Sequence, residues 1–332
     1  MGMKKTKMAA VALGMAAVLS AGAAEAKSVV YFTRDLSAAG LQKAYEKVNR
    51  EISGNVAVKL HTGERNGPNI LPREWVAVLI RKDIPNATIV ETNTYYAGDR
   101  DTTEKHRETI RVNGWTEVAP VDIIDAEGTA LLPVQGGHHF KEMSVGKNLL
   151  QYDSLVTLTH FKGHTMGGFG GSNKNIGIGC ADGKIGKMWI HRGDSGSQWG
   201  ISKEPFMERM TESTKSVIDH FGRHVTYVNV LRNMSVDCDC AGLSAAPVVT
   251  PDIGILASTN ILAVDKASVD MIYALHQDAG HDLIERMESR KGLRQLSYMK
   301  ELGMGDDDYI LIDLDHDETP ITAGEAVAEV GK

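Results

Sequence analysis

The chain has few cysteines and no excess of positive charge, and each shortage excludes a class of protein. Its 332 residues include only 3 cysteines, too few for a scaffold built on several disulfides. Lys and Arg number 36 against 43 Asp and Glu, a net charge of −7, whereas a nucleic-acid-binding protein needs a basic surface. Hydrophobic residues at 42% and charged residues at 24% are typical of a folded globular protein. We therefore expect a small-molecule partner and no nucleic acid.

The chain also lacks a hydrophobic run long enough to remain in a membrane. Three lysines between residues 4 and 7 precede an apolar, alanine-rich core from Met8 to Gly22, which is shorter than the about 20 strongly apolar residues of a spanning helix. An A-x-A signal at residues 24–26 follows, and this order is typical of a secretory signal peptide. We predict that residues 1–26 are cleaved and leave no stable membrane anchor. The mature protein is then secreted across the inner membrane and is periplasmic. The alternative is a retained N-terminal anchor.

Short β-branched runs alternate with amphipathic stretches along the rest of the chain. Strands are predicted at Val29–Thr33, Val56–Leu60, Thr88–Glu91, Val121–Ile124, Leu155–Thr159, Val225–Leu231, Ile253–Ala257 and Tyr309–Leu314. Helices are predicted at Ala38–Arg50, Arg73–Arg81, Thr102–Asn113, Pro205–Phe221 and Ala263–Leu275. This alternation predicts an α/β fold with a mainly parallel sheet covered by helices. We expect one domain over residues 27–318, with two lobes at about 27–190 and 204–318 around a cleft, and a flexible tail at 319–332.

Polar side chains follow several predicted strands at the point where each strand ends. His61 and Glu64 come after the second strand, Asn93 after the third, and His160 and His164 after the fifth. In open α/β sheets, ligands bind outside the carboxyl ends of the strands. We therefore predict a site there, in which His61, Glu64, Asn93 and Arg100 bind the substrate. The alternative for any single histidine is a hydrogen bond within its own loop.

The segment from His160 to His191 is rich in glycine, since nine of the 34 glycines lie between Gly163 and Gly186. The backbone N–H groups of residues 167–171 could form a nest for an anion or a phosphate. The spacing fits neither a Walker loop nor a dinucleotide-binding fingerprint. We predict that cofactor-binding residues lie here and catalytic residues around them. The cofactor-binding residues are Gly168, Gly170, Gly171 and Lys174, and the catalytic residues include His164, Lys174 and His191.

The three cysteines are arranged as a C-x-C pair, Cys238 and Cys240, and a distant Cys180. Thiolates are soft metal ligands, so we expect a metal ion, of identity unknown from the sequence, bound by cysteines and histidines. The predicted ligands are Cys180, Cys238, Cys240, His160 and His164. The alternative is a disulfide from Cys180 to one of the pair, which leaves one free thiol. Two four-iron clusters are excluded because they need about eight cysteine ligands.

The motifs of this chain resemble those of the domain-of-unknown-function 362 family, whose members are often labelled uncharacterised iron–sulfur centre proteins. The matching segments are Val58–Glu64, Glu91–Thr94 with Gly98 and Arg100, His160–His164, Gly168–Gly171, Lys174–Asn175, Gly177–Cys180, Gly186–Lys187, His191, Cys238–Cys240, Pro251–Ser258 and Asp265–Asp270. Many relatives carry a ferredoxin-like insert after the equivalent of His191. Here residues 192–203 are few and contain no cysteine, so the iron–sulfur label does not transfer.

The glycine-rich segment resembles, more remotely, the catalytic loop of the nickel-pincer lactate racemases. In that resemblance His164 precedes the glycines, Lys174 follows them, and His191 is a later histidine. It implies that Lys174 would hold a pincer-type nucleotide and that His164 or His191 would act as metal ligand or acid–base group. His106, on the predicted Thr102–Asn113 helix, would fill the remaining catalytic histidine role.

Three functions remain open at this point. The first is an exported, metal-dependent enzyme that acts on a small anionic substrate. With racemase- or isomerase-like proton transfer it would be an isomerase, and with redox chemistry it would be an oxidoreductase. The second is a non-catalytic metal or iron–sulfur binding protein of an exported redox pathway. The third is a periplasmic ligand-binding protein. The histidines and lysines of the glycine-rich segment favour the first, because histidine transfers protons near pH 7. The sequence does not determine the oligomeric state.

Overall fold

The computed structural model describes residue 2 and residues 27–331, apart from residues 85, 194, 195, 202 and 277. The strands are β1 (Ser28–Thr33), β2 (Val56–Lys59), β3 (Ala87–Glu91), β4 (Val121–Ile123), β5 (Thr129–Pro133), β6 (Glu142–Gly146), β7 (Ser154–His160), β8 (Lys162–His164), β9 (Gly168–Gly170), β10 (Val225–Leu231), β11 (Gly254–Ser258), β12 (Tyr309–Asp313) and β13 (Thr319–Ile321). The predicted signal peptide lies outside the described residues, apart from residue 2. None of the described helices is long and apolar enough to cross a membrane.

Nine of these strands form one large sheet in the order β13-β12-β1-β11-β10-β7-β2-β3-β4. The central run β10-β7-β2-β3-β4 is parallel throughout. Only β11 and β13 run antiparallel to their neighbours. Strands β7 and β10 are buried along their whole length, as continuous apolar and β-branched runs in a parallel sheet covered on both faces should be. The predicted α/β fold with a mainly parallel sheet is confirmed.

Ten α-helices within the described residues connect and cover the strands. They are α1 (Ala38–Glu46), α2 (Arg73–Asp83), α3 (Thr103–Val112), α4 (Ser172–Gly179), α5 (Gly186–Arg192), α6 (Glu204–Phe221), α7 (Ile261–Tyr273), α8 (His281–Ser289), α9 (Arg294–Glu301) and α10 (Ala323–Ala326). Side chains of Ser37, Thr102 and Asn260 accept hydrogen bonds from the first-turn N–H groups of α1, α3 and α7. These caps explain where the three helices begin, because first-turn N–H groups have no partner within the helix.

Two hydrophobic clusters lie on the two faces of the sheet. One contains apolar side chains of α1, α2 and α3, including Tyr45 and Leu79, together with Val58 of β2. The other contains side chains of α6, α7, α8 and α9, including Phe221 and Met271, together with Leu155 of β7. Helices on both faces leave the carboxyl edge of the parallel strands as the place where loops converge.

The structure differs from the sequence-based expectation in two parts of the domain organisation. The expected lobes do not form separate units, because β1 of the first lies between β11 and β12 of the second in one sheet. Residues 319–331, expected to be a flexible tail, contain β13 and α10. Thr322 and Glu325 form a capping box at the start of α10, and Val327 is buried, so local hydrogen bonds and apolar burial hold this segment.

Candidate active site

A cavity of about 310 Å³ lies where the loops after four neighbouring parallel strands meet. Lys59 and His61 come from the end of β2, Glu91 from β3, His164 from the chain after β7, and Cys240 from the loop after β10. The other charged or titratable side chains that line it are Tyr95, Tyr96, Arg100, Lys162, Lys174, Lys187 and His191. The strand-end residues are therefore brought together because parallel neighbours place their carboxyl ends at one edge.

One side of the cavity, here called the carboxylate wall, consists of Lys59, His61, Thr62 and Glu91. Lys59 Nζ lies 2.7 Å from Glu91 Oε2, and His61 Nδ1 lies 3.3 Å from Glu91 Oε1. The backbone N–H and hydroxyl of Thr62 donate to the same Oε1 at 2.8 and 3.1 Å. Burial alone would raise the pKa of Glu91, but Lys59 and His61 hold it well below its usual range. Glu91 is therefore a carboxylate whose oxygens are fully engaged.

His61 is oriented by this carboxylate and keeps one nitrogen free. Because Nδ1 faces a carboxylate oxygen, Nδ1 carries the hydrogen and Nε2 has the lone pair. Nε2 is buried and has no hydrogen-bond partner among the described residues. Burial and the nearby Arg100 lower the pKa of His61, so the ring is neutral at pH 7. His61 thus offers an oriented proton acceptor at the edge of the cavity.

The opposite side, here called the thiol wall, consists of His164, Lys174, Cys238 and Cys240. Lys174 Nζ lies 3.2 Å from Cys238 Sγ, and the backbone N–H of Cys240 donates to the same sulfur at 3.4 Å. A hydrogen bond from Cys240 and the Lys174 ammonium lower the pKa of Cys238 well below that of a free thiol, against the effect of burial. The same hydrogen bond and burial raise the pKa of Cys240. The pair therefore holds one thiolate and one thiol.

His164 completes the thiol wall as a neutral imidazole. Its Nδ1 accepts the backbone N–H of Gly167 at 2.7 Å, and its ring stacks on Phe206 with centroids 6.3 Å apart. Burial and the nearby Lys174 lower the pKa of His164 to about 3. One ligand atom each from His164, Cys238 and Cys240 lie within 4.8 Å of one another. An imidazole and two sulfurs at this separation form a donor set suited to a soft or borderline metal ion. A metal ion on either ring nitrogen would break the Gly167 hydrogen bond, because the other nitrogen must then carry the hydrogen.

Asp239, between the two cysteines, holds the C-x-C turn in place. His160 Nδ1 lies 2.9 Å from its Oδ2, and Lys162 Nζ lies at the same distance from that oxygen. His160 Nε2 lies 2.6 Å from the carbonyl oxygen of Arg232. Both nitrogens of His160 are engaged by these oxygen atoms, and His160 is not part of the group formed by His164, Cys238 and Cys240. The predicted role of His160 as a metal ligand is therefore not what the structure shows.

Lys174 is positioned by a carboxylate that caps α4 from another part of the chain. Asp265, on α7, accepts the backbone N–H groups of Ser172 and Asn173 at 2.8 and 2.9 Å. A Cβ on Gly171 would lie 2.4 Å from Asp265 Oδ1, so glycine is needed for this approach. Asp265 thus binds the N–H groups that directly follow the predicted anion nest of residues 167–171, and burial raises its pKa to about 6.

Three aromatic rings stand at the edge of the cavity. His191 on α5 donates from Nδ1 to the carbonyl oxygen of Lys187 at 2.7 Å, so its Nε2 has the lone pair. Tyr95 stacks on His191 with centroids 5.9 Å apart, and the Trp199 ring contacts His191 edge-on at 5.0 Å. Burial lowers the pKa of His191 to about 4. A third neutral imidazole therefore lines the cavity, beside those of His61 and His164.

Several predicted site residues line the cavity and several do not. His61, Arg100, His164, Gly170, Gly171, Lys174, His191 and Cys240 line it. Glu64 lies behind Arg100 and pairs with it at 2.7 Å. The Asn93 side chain donates to Thr103 Oγ1 at 3.1 Å and faces His106 Nδ1 at 3.3 Å. Glu64, Asn93 and His106 therefore act on the lining residues from outside, rather than on a ligand.

Two further predictions for the metal and cofactor sites are corrected. Cys180 does not belong to the group formed by His164, Cys238 and Cys240, because it lies at the end of α4 among Lys59, Glu91 and Lys187, where burial raises its pKa to about 12. None of the three cysteines forms a disulfide. Gly168 has φ +77° and its α-carbon packs against Gly292 and Met287, so it shapes the turn into β9 and does not line the cavity.

The sequence matches the model of one protein family, described as a domain of unknown function (DUF362), over residues 56–270. The chain belongs to this family. Every cavity-lining residue of this DUF362 protein lies within the matched range, so the cavity is built from the family domain itself. The predicted resemblance to this family is confirmed.

Two solved structures are similar to this DUF362 chain. One is the lactate racemase apoprotein from Thermoanaerobacterium thermosaccharolyticum, with 9% identity and a TM-score of 0.38, covering 86% of this chain and 83% of that one. The other is a protein from Thermotoga maritima, with 12% identity and a TM-score of 0.38, covering 58% of this chain and 49% of that one. No curated protein matches the chain.

Three important residues of the DUF362 site were not singled out from the sequence. They are Lys59, Glu91 and Lys187. A usable signal exists for two of them, since Lys59 and Glu91 end strands whose other residues are apolar and buried, apart from the half-buried Thr88. Charged residues are almost never fully buried unless they are paired, so a charge at each of these positions predicts a partner on a neighbouring strand.

Proposed function

We propose that this DUF362 protein is a metal-dependent enzyme that acts on a small anionic molecule by proton transfer. One observation carries the proposal: the ligand atoms of His164, Cys238 and Cys240 converge within 4.8 Å at the wall of a cavity that is also lined by lysines and Arg100. A metal site that opens onto a cavity with cationic side chains fits chemistry on an anion better than it fits a closed structural site.

The residues of the thiol wall fit a metal ion by their chemistry. Cys238 is already held as a thiolate, and metal binding would also deprotonate Cys240. Three protein ligands leave room for a water or a substrate oxygen, as in catalytic zinc sites. When bound, such an ion supplies a Lewis acid that polarises a carbonyl or carboxylate oxygen. Lys174 would remain near Cys238 and hydrogen-bond to the coordinated sulfur.

The chain's own histidines supply the proton transfer in this proposal. His61 and His191 each donate from Nδ1, to Glu91 and to a backbone carbonyl respectively, which leaves each Nε2 with a lone pair. Both rings line the cavity, and burial keeps both neutral at pH 7. A neutral imidazole can take a proton from a carbon next to a carboxylate, and the protonated ring can return it. This supports racemase- or isomerase-like chemistry.

Metal binding is tested by elemental analysis of the purified protein beside three variants. We expect about one metal ion per chain in the wild type and in Cys180→Ser, because Cys180 lies outside the ligand group. Cys240→Ser and His164→Ala should lose most of it. Equal metal content in all four proteins would contradict the proposed site. Added intact mass on Lys174 would indicate a covalently held, pincer-type nucleotide instead of a simple metal site.

Proton transfer is tested without knowledge of the substrate. Small 2-hydroxy and 2-amino carboxylates are incubated with the metal-loaded protein in deuterated water, and exchange of the hydrogen next to the carboxylate is followed by NMR. We expect exchange with the wild type and a loss of about 100-fold or more in His61→Gln, in the range that general acid–base catalysis contributes. His220→Gln, which changes an exposed histidine of α6, is the matched control. Metal binding without any exchange would favour the non-catalytic metal-binding protein.

Export is a separate part of the proposal. The basic start, apolar core and A-x-A signal of residues 1–26 support cleavage after residue 26 and a periplasmic mature protein. Mass spectrometry of the protein from its native cells should find an N terminus at Lys27. Recovery of the chain with an intact N terminus would contradict cleavage.

A further inference from the structure

We infer that Lys187 is the anchor for the negative charge of the ligand, and that this ligand is a small carboxylate with an apolar body. The inference rests on the proposed function only in treating the cavity as a ligand site. Five Lys and Arg side chains line that cavity. Three of them pair with a carboxylate of the protein: Lys59 with Glu91, Arg100 with Glu64, and Lys162 with Asp239. The fourth, Lys174, lies 3.2 Å from the sulfur of Cys238.

Lys187 is the exception among these five. Its Nζ donates to Thr92 Oγ1 at 2.6 Å and to the backbone carbonyl oxygen of Asn93, and both acceptors are neutral. Asp125 is the carboxylate that raises the pKa of Lys187 most. Its oxygens, however, accept the backbone N–H groups of Asn93 and Gly183 and not the ammonium of Lys187. No described carboxylate lies within ion-pair distance of Lys187. A buried ammonium without a counter-charge is costly, and a bound anion would supply that charge.

The remaining hydrogen-bonding capacity of Lys187 limits what it can bind. An ammonium group has three N–H donors, and two of those of Lys187 are used by Thr92 and Asn93. One donor is left, on a side chain that is 95% buried and lines the cavity. A single donor on a point charge suits one oxygen of a carboxylate, whereas phosphate is usually held by several donors at once.

The neighbours of Lys187 indicate the rest of the ligand. His191 lies one turn further along α5, and its ring packs against Tyr95 and Trp199. Met166 and Ile178 also line the cavity. The rings of Tyr95 and Trp199 and the side chains of Met166 and Ile178 add aromatic and aliphatic surface to the cavity, so the part of the ligand beyond the carboxylate should be mainly apolar.

Benzoate is a suitable probe, and neutral benzamide has nearly the same shape without the charge. Binding of each to the full-length protein is measured by calorimetry at pH 7, with wild type, Lys187→Met, Lys187→Gln and Lys187→Arg. Lys184→Met is the matched control, because Lys184 is exposed and only three residues away. We expect benzoate to bind wild type and the control equally, benzamide to bind neither, and loss of the charge to weaken benzoate binding about tenfold or more. Lys187→Arg should retain part of the affinity.

Three results would overturn the inference. They are equal benzoate affinity in wild type and both neutral variants, no benzoate binding to wild type, and tighter binding of inorganic phosphate than of benzoate. The Cys240→Ser variant separates this inference from the metal proposal. Benzoate binding that depends on Lys187 and persists in Cys240→Ser supports the anchor, even if the wild type proves to hold no metal. Benzoate binding that is lost in Cys240→Ser and unaffected in Lys187→Met would assign the anion to the metal and would overturn the anchor.

Discussion

The two walls of the cavity both carry a buried negative charge, but they hold it in different ways. In the carboxylate wall, Glu91 accepts from Lys59, His61 and two donors of Thr62. In the thiol wall, the charge on Cys238 is shared with Cys240 and balanced by Lys174. All the partners of Glu91 are fixed by strands and their ends, whereas the cysteines lie in a loop and their shared proton can be replaced by a metal ion. The carboxylate wall is thus a rigid support, whereas the thiol wall can exchange its proton for a metal ion.

The largest expected effect is on the carboxylate wall. Glu91→Gln would leave Lys59, only 1% exposed, without its counter-charge, and breaking a buried pair in this way costs about 3–5 kcal/mol. We expect a large fall in the free energy of unfolding, measured by urea denaturation. Because the pKa of Glu91 is lowered in the folded state, its stabilisation is present above the pKa of the unfolded chain and is lost as the pH falls through the folded pKa. The control is Glu104→Gln, an exposed change on α3. If Glu91→Gln lowered the free energy of unfolding no more than this control does, the two walls would not differ in rigidity.

A smaller effect is expected where the thiol wall is supported. Asp265→Asn would remove an acceptor from the first turn of α4, which carries Lys174, and an unsatisfied buried donor costs about 1–3 kcal/mol. We expect a moderate loss of stability together with slower alkylation of the cysteine pair, since Lys174 would no longer be held against Cys238. Lost stability with unchanged alkylation would mean that Asp265 supports the fold alone.

The exchangeable character of the thiol wall is tested by alkylation of the metal-free protein with iodoacetamide, followed by peptide mass spectrometry. Cys240 lines the cavity and shares its proton with Cys238, so the pair should react before the buried Cys180. Replacing Lys174 with Met should slow the reaction of the pair about tenfold, because the thiolate is the reactive form. Added zinc should protect the pair and leave Cys180 unchanged. Faster labelling of Cys180 than of the pair would contradict the comparison.

The smallest expected effect is a pH dependence of anion binding. Burial lowers the pKa of Lys187 to about 8, so benzoate binding should be constant near pH 6 to 7 and decline above pH 8 as the ammonium loses its proton. The charged or titratable groups that influence or are influenced by Lys187 are Lys59, Glu91, Arg100, His106, Asp125, Cys180 and His191. The histidines are neutral across this range, so the decline should follow Lys187. Calorimetry in several buffers checks it, and binding that rises with pH would contradict it.

Much of the fold could be predicted from local sequence patterns. All eight predicted strands and all five predicted helices are present, and Val225–Leu231 has the predicted bounds. Such runs are long, apolar and regularly spaced, and their periodicity is a local property. The short elements around the site, β8, β9 and α4, were not predicted. Glycines in this segment allow close contacts with residues that are distant in the sequence, as at Gly171 and Asp265, and such contacts leave no local pattern.

The site was predicted less completely than the fold. Histidines and cysteines stand out by type, so His61, His164, Lys174, His191 and Cys240 were found. Cys180 and His160 were assigned to the metal because spacing along the chain does not show which way a side chain points. Lys187 was missed because its role depends on Thr92 and Asn93, which follow another strand.

The sequence by itself determined the alternation of strands and helices, the limit of three thiols and hence the exclusion of paired four-iron clusters, and the gathering of polar residues after strand ends. Only the tertiary structure decided that the C-x-C pair meets His164 and Lys174 and that Cys180 stays apart. It also decided that Lys187, alone among the cavity's five Lys and Arg side chains, contacts neither a carboxylate nor a thiol of the described residues. The physical reason is that periodicity and composition act locally, whereas the pairing of buried charges depends on which strand ends the parallel sheet places side by side.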